Sequence, residues 1–444
     1  MTRGLRRAAL AVLVTVLAWL PAAGAGAIDI KEVTTPLGIK AWLVEDKSAP
    51  VVALSFSFAG GTASDPAGQS GVTSLMAALL TDGAGPMDAQ AFRRRQEDAA
   101  ASLGFGASLD RLSGTLRVLS VNRNEGFELL RLALTQPRFD PDMVEQRRAQ
   151  TIAQINQSEQ RPQSVAGRTL MATLFAGHPY AADPEGTRDD LKTLTPALLK
   201  RRAAALMLRS GLIVSAVGDI GEAELARQLD RAFGSLVVGT VPPLPPEWKP
   251  PVKPRTIIVE RPVPQSTALM ALPGIARDDP DWYAAVVMNH VLGGGGQQSR
   301  LFHEVRDKRG LAYGVSTALR TYKRAALMVI STASANERVA EAIRIIRAEF
   351  VRLRTEGITE QELADAKTYL NGALALSLDS SGSVASLLQS LQIDGLPPDH
   401  MTRRAALINA VKLDDVRRMA RRLLRDEAMT TVVVGKPVGV TADP

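Results

Sequence analysis

The chain has 444 residues, a formal net charge of +7 at pH 7, 45% hydrophobic and 4% aromatic residues, four histidines and no cysteine. The missing cysteine excludes disulfides, thiol catalysis and Cys-rich metal sites, so the fold must rest on its core. The arginines are spread through amphipathic stretches rather than interleaved with aromatics, so no nucleic-acid partner is expected.

Residues 1–27 read as a removable secretory signal, with Arg3, Arg6 and Arg7 ahead of an apolar run from Ala8 to Leu20 and a small-residue end at Ala25-Gly26-Ala27. That run is short of the roughly 20 helical residues needed to cross a bilayer. An uncleaved anchor is the alternative. Arg6-Arg7 fits a twin-arginine signal poorly, which favours the general export route to a periplasmic or secreted location. Removing the segment takes away three arginines and no acid, so the charge falls from +7 to +4. No later stretch is long and apolar enough to suggest a membrane span.

The first half (28–240) opens on strand-like text, Ile39–Val44 and then Val51–Phe58, VVALSFSF, whose period-two alternation suits a half-buried strand. Helices are expected from about Gly71, over Ala89–Leu103, Asn124–Leu134 and Pro141–Gln160. The half closes on a strand, Gly211–Val217, and a helix ending at Phe233. A linker at 241–256 follows, with seven prolines in its first 14 residues, which favours an extended spacer that lets one half move against the other. The second half (257–444) repeats the order. Strands are expected at Ile257–Val259, Ser266–Ala271, Ala326–Thr332 and Thr430–Val434, and helices at Asp281–Leu292, Asn336–Thr355 and Glu360–Leu376. Phe139-Asp-Pro-Asp-Met-Val-Glu-Gln-Arg-Arg is echoed by Ile358-Thr-Glu-Gln-Glu-Leu-Ala-Asp-Ala-Lys. The expected fold is α+β: two homologous α/β halves in a clamshell arrangement, each an antiparallel-rich sheet faced by helices.

Several fragments in order carry a family resemblance: Phe58-Ala-Gly-Gly-Thr, the helix at Gly71, His178-Pro-Tyr180, Asp190-Leu-Lys-Thr-Leu-Thr195 and Val217-Gly-Asp219. In the second half, Leu292-Gly-Gly-Gly-Gly-Gln-Gln-Ser-Arg-Leu-Phe302 leads into Glu304-Val-Arg-Asp-Lys-Arg-Gly-Leu-Ala-Tyr313. Together they resemble the pitrilysin/insulinase zinc peptidases and their mitochondrial processing peptidase relatives.

Active members of that family carry His-x-x-Glu-His on a helix, which sets two zinc ligands on one face with the intervening Glu as general base. The register from Gly71 puts Ser74 and Ala78 at the ligand positions and Ala77 at the base. Gln154, 76 residues after Ala78, falls where the family's distal Glu stands. Alanine offers no donor and neutral Gln is a poor zinc ligand. By itself this helix also reads as an apolar core helix, with Leu75, Met76, Leu79 and Leu80 inward. A metal recruited through His178 or a partner's residues is the other alternative, although His-Pro-Tyr more often orders a loop.

Arg306 and Tyr313, seven residues apart, match an Arg/Tyr pair that the family's second domain directs toward the zinc site. There the resemblance implies substrate binding by the guanidinium and oxyanion stabilisation by the phenol. Without the resemblance, the same text is an exposed charged helix end with Asp307, Lys308 and Arg309. Gly293–Gly296 lacks a following Lys-Ser/Thr pair and reads as a loop rather than a phosphate cradle.

The implied function is the non-metal subunit of an exported heterodimeric peptidase. No cofactor is expected in this chain, and zinc is expected in a homologous partner. Unstructured peptides would add as a strand to a sheet edge, with Val51–Phe58 as the candidate. The alternatives are a binding or assembly module without peptidase work, and a self-sufficient enzyme with an unusual metal site.

Overall fold

The computed structural model describes residues 29–443; the segment read as a signal lies outside the described residues. The first half builds a six-stranded sheet from β1 (Lys31–Thr34), β2 (Lys40–Glu45), β3 (Val51–Ala59), β6 (Ser102–Ala107), β7 (Arg111–Leu119) and β8 (Ile213–Gly218), in the order β1-β2-β8-β3-β7-β6. A small hairpin, β4 (Gly83–Ala84) and β5 (Met87–Asp88), stands apart. The second half builds a five-stranded sheet from β9 (Thr256–Glu260), β10 (Gln265–Pro273), β11 (Ala312–Thr321), β12 (Ala326–Ala335) and β13 (Thr430–Gly435), in the order β11-β12-β10-β13-β9.

Read from opposite ends, these orders coincide. β2-β8-β3-β7-β6 corresponds to β9-β13-β10-β12-β11, and each run begins with one parallel pair followed by antiparallel ones. The chain is therefore an α+β protein of two topologically equivalent halves.

Helices α1 (Val72–Leu79), α2 (Ala89–Asp98), α3 (Arg123–Thr135), α4 (Pro141–Glu159), α5 (Pro162–Leu174), α6 (Arg188–Thr193), α7 (Pro196–Leu206) and α8 (Glu222–Phe233) follow the first-half strands. The second half contributes α9 (Trp282–Asn289), α10 (Val339–Glu356), α11 (Glu360–Ser377), α12 (Ser381–Ile393), α13 (His400–Ala410) and α14 (Leu413–Leu423). Each sheet buries one face under its own helices, giving two separate cores.

The other face of each sheet is covered by a helix from the opposite half. On α5, Val165, Ala166, Leu170 and Leu174 pack on Leu269 and Ala271 of β10 and Val432 and Val434 of β13. On α12, Val384, Ala385, Leu388 and Leu391 pack on Trp42, Ala53 and Val217 of the first sheet. Two glutamines fix α12 in place: Ser55 Oγ donates to Gln389 Oε1 (3.0 Å), and Gln392 Nε2 donates to Val214 O (2.9 Å) and Ser215 Oγ (2.7 Å).

The proline-rich segment has no helix or strand, yet it is no free hinge. Trp248 donates its backbone N–H to Arg324 O (2.9 Å) and its indole N–H to Leu174 O (2.9 Å). Its ring packs on Phe175, 5.1 Å between centroids, within an aromatic group that includes Tyr180 and Tyr322. The linker is thus fastened along the seam that it crosses.

Two sequence expectations need correction. Val51–Phe58 is not an edge: β3 pairs with β7 on one side and β8 on the other. The helix expected over Ala89–Leu103 stops at Asp98, because Ala100 takes a left-handed φ of 49° and turns the chain into β6, which with β1 forms the edges of the sheet. Propensity favours continuing a helix through three alanines, and tertiary pairing with β7 overrides it.

Candidate functional site

Helix α1 starts at Gly71, whose φ of 85° and close approach leave no room for a side chain: a Cβ there would lie 2.5 Å from Glu185 O. Around this start runs a buried polar network. Asp65 accepts from Gly71 N–H (3.0 Å) and the Thr73 hydroxyl, and pairs with Arg202 at 3.1 Å. Arg202 also donates to Thr73 Oγ1 (2.7 Å), Ser64 Oγ (2.7 Å) and Gly61 O (3.0 Å). Burial pushes the Asp65 carboxyl up and pulls the Arg202 guanidinium down, and their mutual attraction opposes both effects. The network fixes the direction in which α1 leaves the sheet.

Leu75, Met76 and Leu79 of α1, with Leu80 just beyond it, are buried in the first core. The opposite face borders a cavity of about 320 Å³ that brings together Ser74, Ala77, Ala78 and, from α4, Gln154. Phe105–Ala107 of β6 form one wall. The four positions identified by counting thus converge on one cavity, although Ala77 also belongs to the first core.

Zinc does not fit the residues present. Ala77 and Ala78 have no donor atoms, and the Ser74 hydroxyl donates to Pro184 O at 2.7 Å. A cation already stands beside the cavity: Arg147 lines it and grips buried Asp82 through two hydrogen bonds of 2.6 and 3.0 Å. Glu185 is the one carboxylate among the lining residues, and burial together with Asp183 pushes its pKa up. Among the described residues no group of three or more His, Asp or Glu is arranged to hold a metal. Nor is His178 available, since its Nδ1 accepts from Tyr180 N–H (3.1 Å), leaving Nε2–H to donate to Pro246 O (2.8 Å).

Arg306 and Tyr313 meet each other in the second half, and neither lines this cavity. Tyr313 is 87% exposed at the start of β11, the free edge strand equivalent to β6, where the β11–β12 pairing is irregular between Ala312 and Val315. The Arg306 guanidinium lies 4.8 Å from the Phe302 ring centroid and 5.1 Å from that of Tyr313. Its charged neighbours are occupied elsewhere. Lys308 and Arg309 donate to Glu304, at 2.6 and 2.5 Å, and Asp307 faces His303 at 3.4 Å. These contacts hold the Glu304 carboxyl at a pKa of about 2. Among the described residues Arg306 has no carboxylate partner, so its donors remain available. Gly293 allows the preceding turn to press on β11, since a Cβ there would meet Thr317 at 2.7 Å.

Sequence models of one family match most of this chain. The description "Insulinase (Peptidase family M16)" matches residues 40–188, and "Peptidase M16 inactive domain" matches residues 193–370. The chain belongs to peptidase family M16. It is a member without the zinc motif, as Ser74, Ala77 and Ala78 show. Among its relatives, an uncharacterized zinc protease of Streptomyces coelicolor is 27% identical over 330 residues, covering 71% of this chain and 70% of that one. A Helicobacter pylori protein named non-peptidase homolog YmxG is 27% identical over 357 residues, covering 80% and 82%. The crystal structure of a peptidase M16 inactive domain from Pseudomonas fluorescens superposes with a TM-score of 0.87 at 27% identity, covering 94% of this chain and 99% of that one.

Proposed function

We propose that this M16 chain is the non-metal subunit of an exported heterodimeric peptidase. In this reading it binds unstructured peptides and lends Arg306 and Tyr313 to a zinc site held by a homologous partner. The observation that supports the reading is selective: Ser74, Ala78 and Gln154, at the positions matched to the zinc ligands, offer no imidazole or carboxylate, while half-buried Arg306 has no carboxylate partner among the described residues and Tyr313 is exposed. A guanidinium can hold a peptide carbonyl through several N–H groups, and a phenol can donate to an oxyanion as it forms. Export rests on the signal-like residues 1–27, with the periplasm or the exterior as destination.

The test is to express this chain with a family member carrying His-x-x-Glu-His, isolate the complex and follow cleavage of an unstructured peptide. Activity should need both chains, and Arg306→Ala in this chain should slow turnover without preventing assembly. Equal activity from the partner alone would refute the proposal. The second reading, a binding or assembly module without peptidase work, is favoured by the non-peptidase name of the Helicobacter relative. It predicts stable association and no rate change on Arg306→Ala.

A further inference from the structure

A second cavity, of about 390 Å³, opens where the two halves meet. One wall is the start of β7 with Arg111; the other carries Arg277, Asp278, Lys323 and Asp394. Arg111 is the most buried charge in it, 9% exposed. Its Nε donates to Ser57 Oγ (2.7 Å), and Nη2 donates to Ser57 O (3.0 Å) and Gly211 O (2.9 Å). Nη1 makes no hydrogen bond, and no carboxylate among the described residues is in ion-pair contact with this side chain. Burial pulls its pKa down to about 10, which leaves it charged at neutral pH. Its hydrogen bonds all go to neutral acceptors and Asp110 attracts it only from beyond ion-pair distance, so part of its desolvation cost remains for an arriving anion to offset.

The neighbouring acid attracts Arg111 but makes no hydrogen bond to it. Asp110 Oδ1 accepts from the Tyr180 hydroxyl (2.5 Å) and Oδ2 from Lys323 N–H (3.0 Å), while the Lys323 ammonium donates to Ile393 O. Two other acids border the same space. Asp278 is exposed with no hydrogen-bond partner among the described residues, and Asp394 faces Arg277 at 3.5 Å. The cavity therefore offers a buried positive group at one end and, at the other, a border of paired charges with Asp278 left over, at the lower end of the size range for small-ligand pockets, about 300–1,000 Å³.

We propose that this cavity binds a zwitterionic small molecule, an α-amino acid or dipeptide, with its carboxylate on Arg111 and its ammonium on Asp278. A simple anion meets the acids as repulsion, and a simple cation meets Arg111 in the same way. Since the walls come from both halves, the ligand fastens them together. The site does not involve Arg306 or Tyr313, so it stands or falls separately from the peptidase reading.

The test is calorimetric titration of the full chain with Ala-Ala, alanine, acetyl-Ala-Ala and Ala-Ala amide. Saturable binding of Ala-Ala or alanine is expected with Kd below about 1 mM, weakened at least tenfold by blocking either terminus. Asp278→Asn, at an exposed position that should leave folding intact, should weaken it by a similar factor; Arg111→Lys tests the buried end if it folds. Absence of saturation by both zwitterions up to about 10 mM, undiminished binding of a blocked dipeptide, or an unchanged Kd in Asp278→Asn would each overturn the proposal.

Discussion

The Arg306 guanidinium lies over the Tyr313 ring, 5.1 Å from its centroid, at the free edge of the second sheet. The contact pre-orders a flexible cation on a rigid aromatic and costs little stability to remove, since such pairs at exposed sites contribute about 0.5–1 kcal/mol. Arg306→Ala or Tyr313→Phe should therefore leave the denaturation midpoint of the isolated chain nearly unchanged. In the proposed two-chain enzyme, each should lower kcat by roughly 10²–10³-fold if the side chain stabilises the reacting oxygen.

Metal content gives a second prediction. The purified chain, measured by elemental mass spectrometry, should hold far less than one equivalent of zinc. Combining Ser74→His, Ala77→Glu, Ala78→His and Gln154→Glu should restore tight binding, because these positions already share one cavity. Each single substitution should fail, since zinc sites take three or four protein ligands.

Leu388 on α12 is fully buried against the first sheet. Leu388→Ala should cost about 2–5 kcal/mol in urea unfolding. Because that contact joins the halves, loss of a single cooperative transition should accompany the change in midpoint.

Glu304 supplies a pH dependence whose sign is fixed. Its carboxyl sits near pKa 2 in the folded chain, against an ordinary value of 4.5, through hydrogen bonds from Lys308 and Arg309. The stabilisation is complete above about pH 4.5 and is lost as the pH falls toward 2. Urea midpoints measured from pH 6 to 2.5 should fall less steeply for Glu304→Gln than for the parent chain.

At Gly71, a methyl group would meet backbone 2.5 Å away and force an unfavourable φ. Gly71→Ala should destabilise by more than about 1 kcal/mol, detectable as a lower melting temperature.

The two halves and most helices were legible in the sequence, because periodicity marks helices, and counting singled out Ser74, Ala77, Ala78 and Gln154, which line one cavity. Other features were not. The alternation in Val51–Phe58 reports a strand but not its neighbours, so a central strand passed for an edge. The reach of Ala89–Leu103 concealed one of the two edges, β6, since nothing local announces a left-handed Ala100. The apolar face of α5 says that Leu170 is buried, not that it is buried against the opposite half. Arg111 reads as one arginine among many until the fold surrounds it with neutral oxygens.

The exchanged helices α5 and α12 bear on how the protein would behave if divided. Cut within 241–256, the first fragment would expose the sheet face that α12 covers, and the second the face that α5 covers. Each piece would be sticky alone and complementary to the other. Co-expressed from separate genes, the two should find one another and rebuild the whole, each serving as the other's folding template.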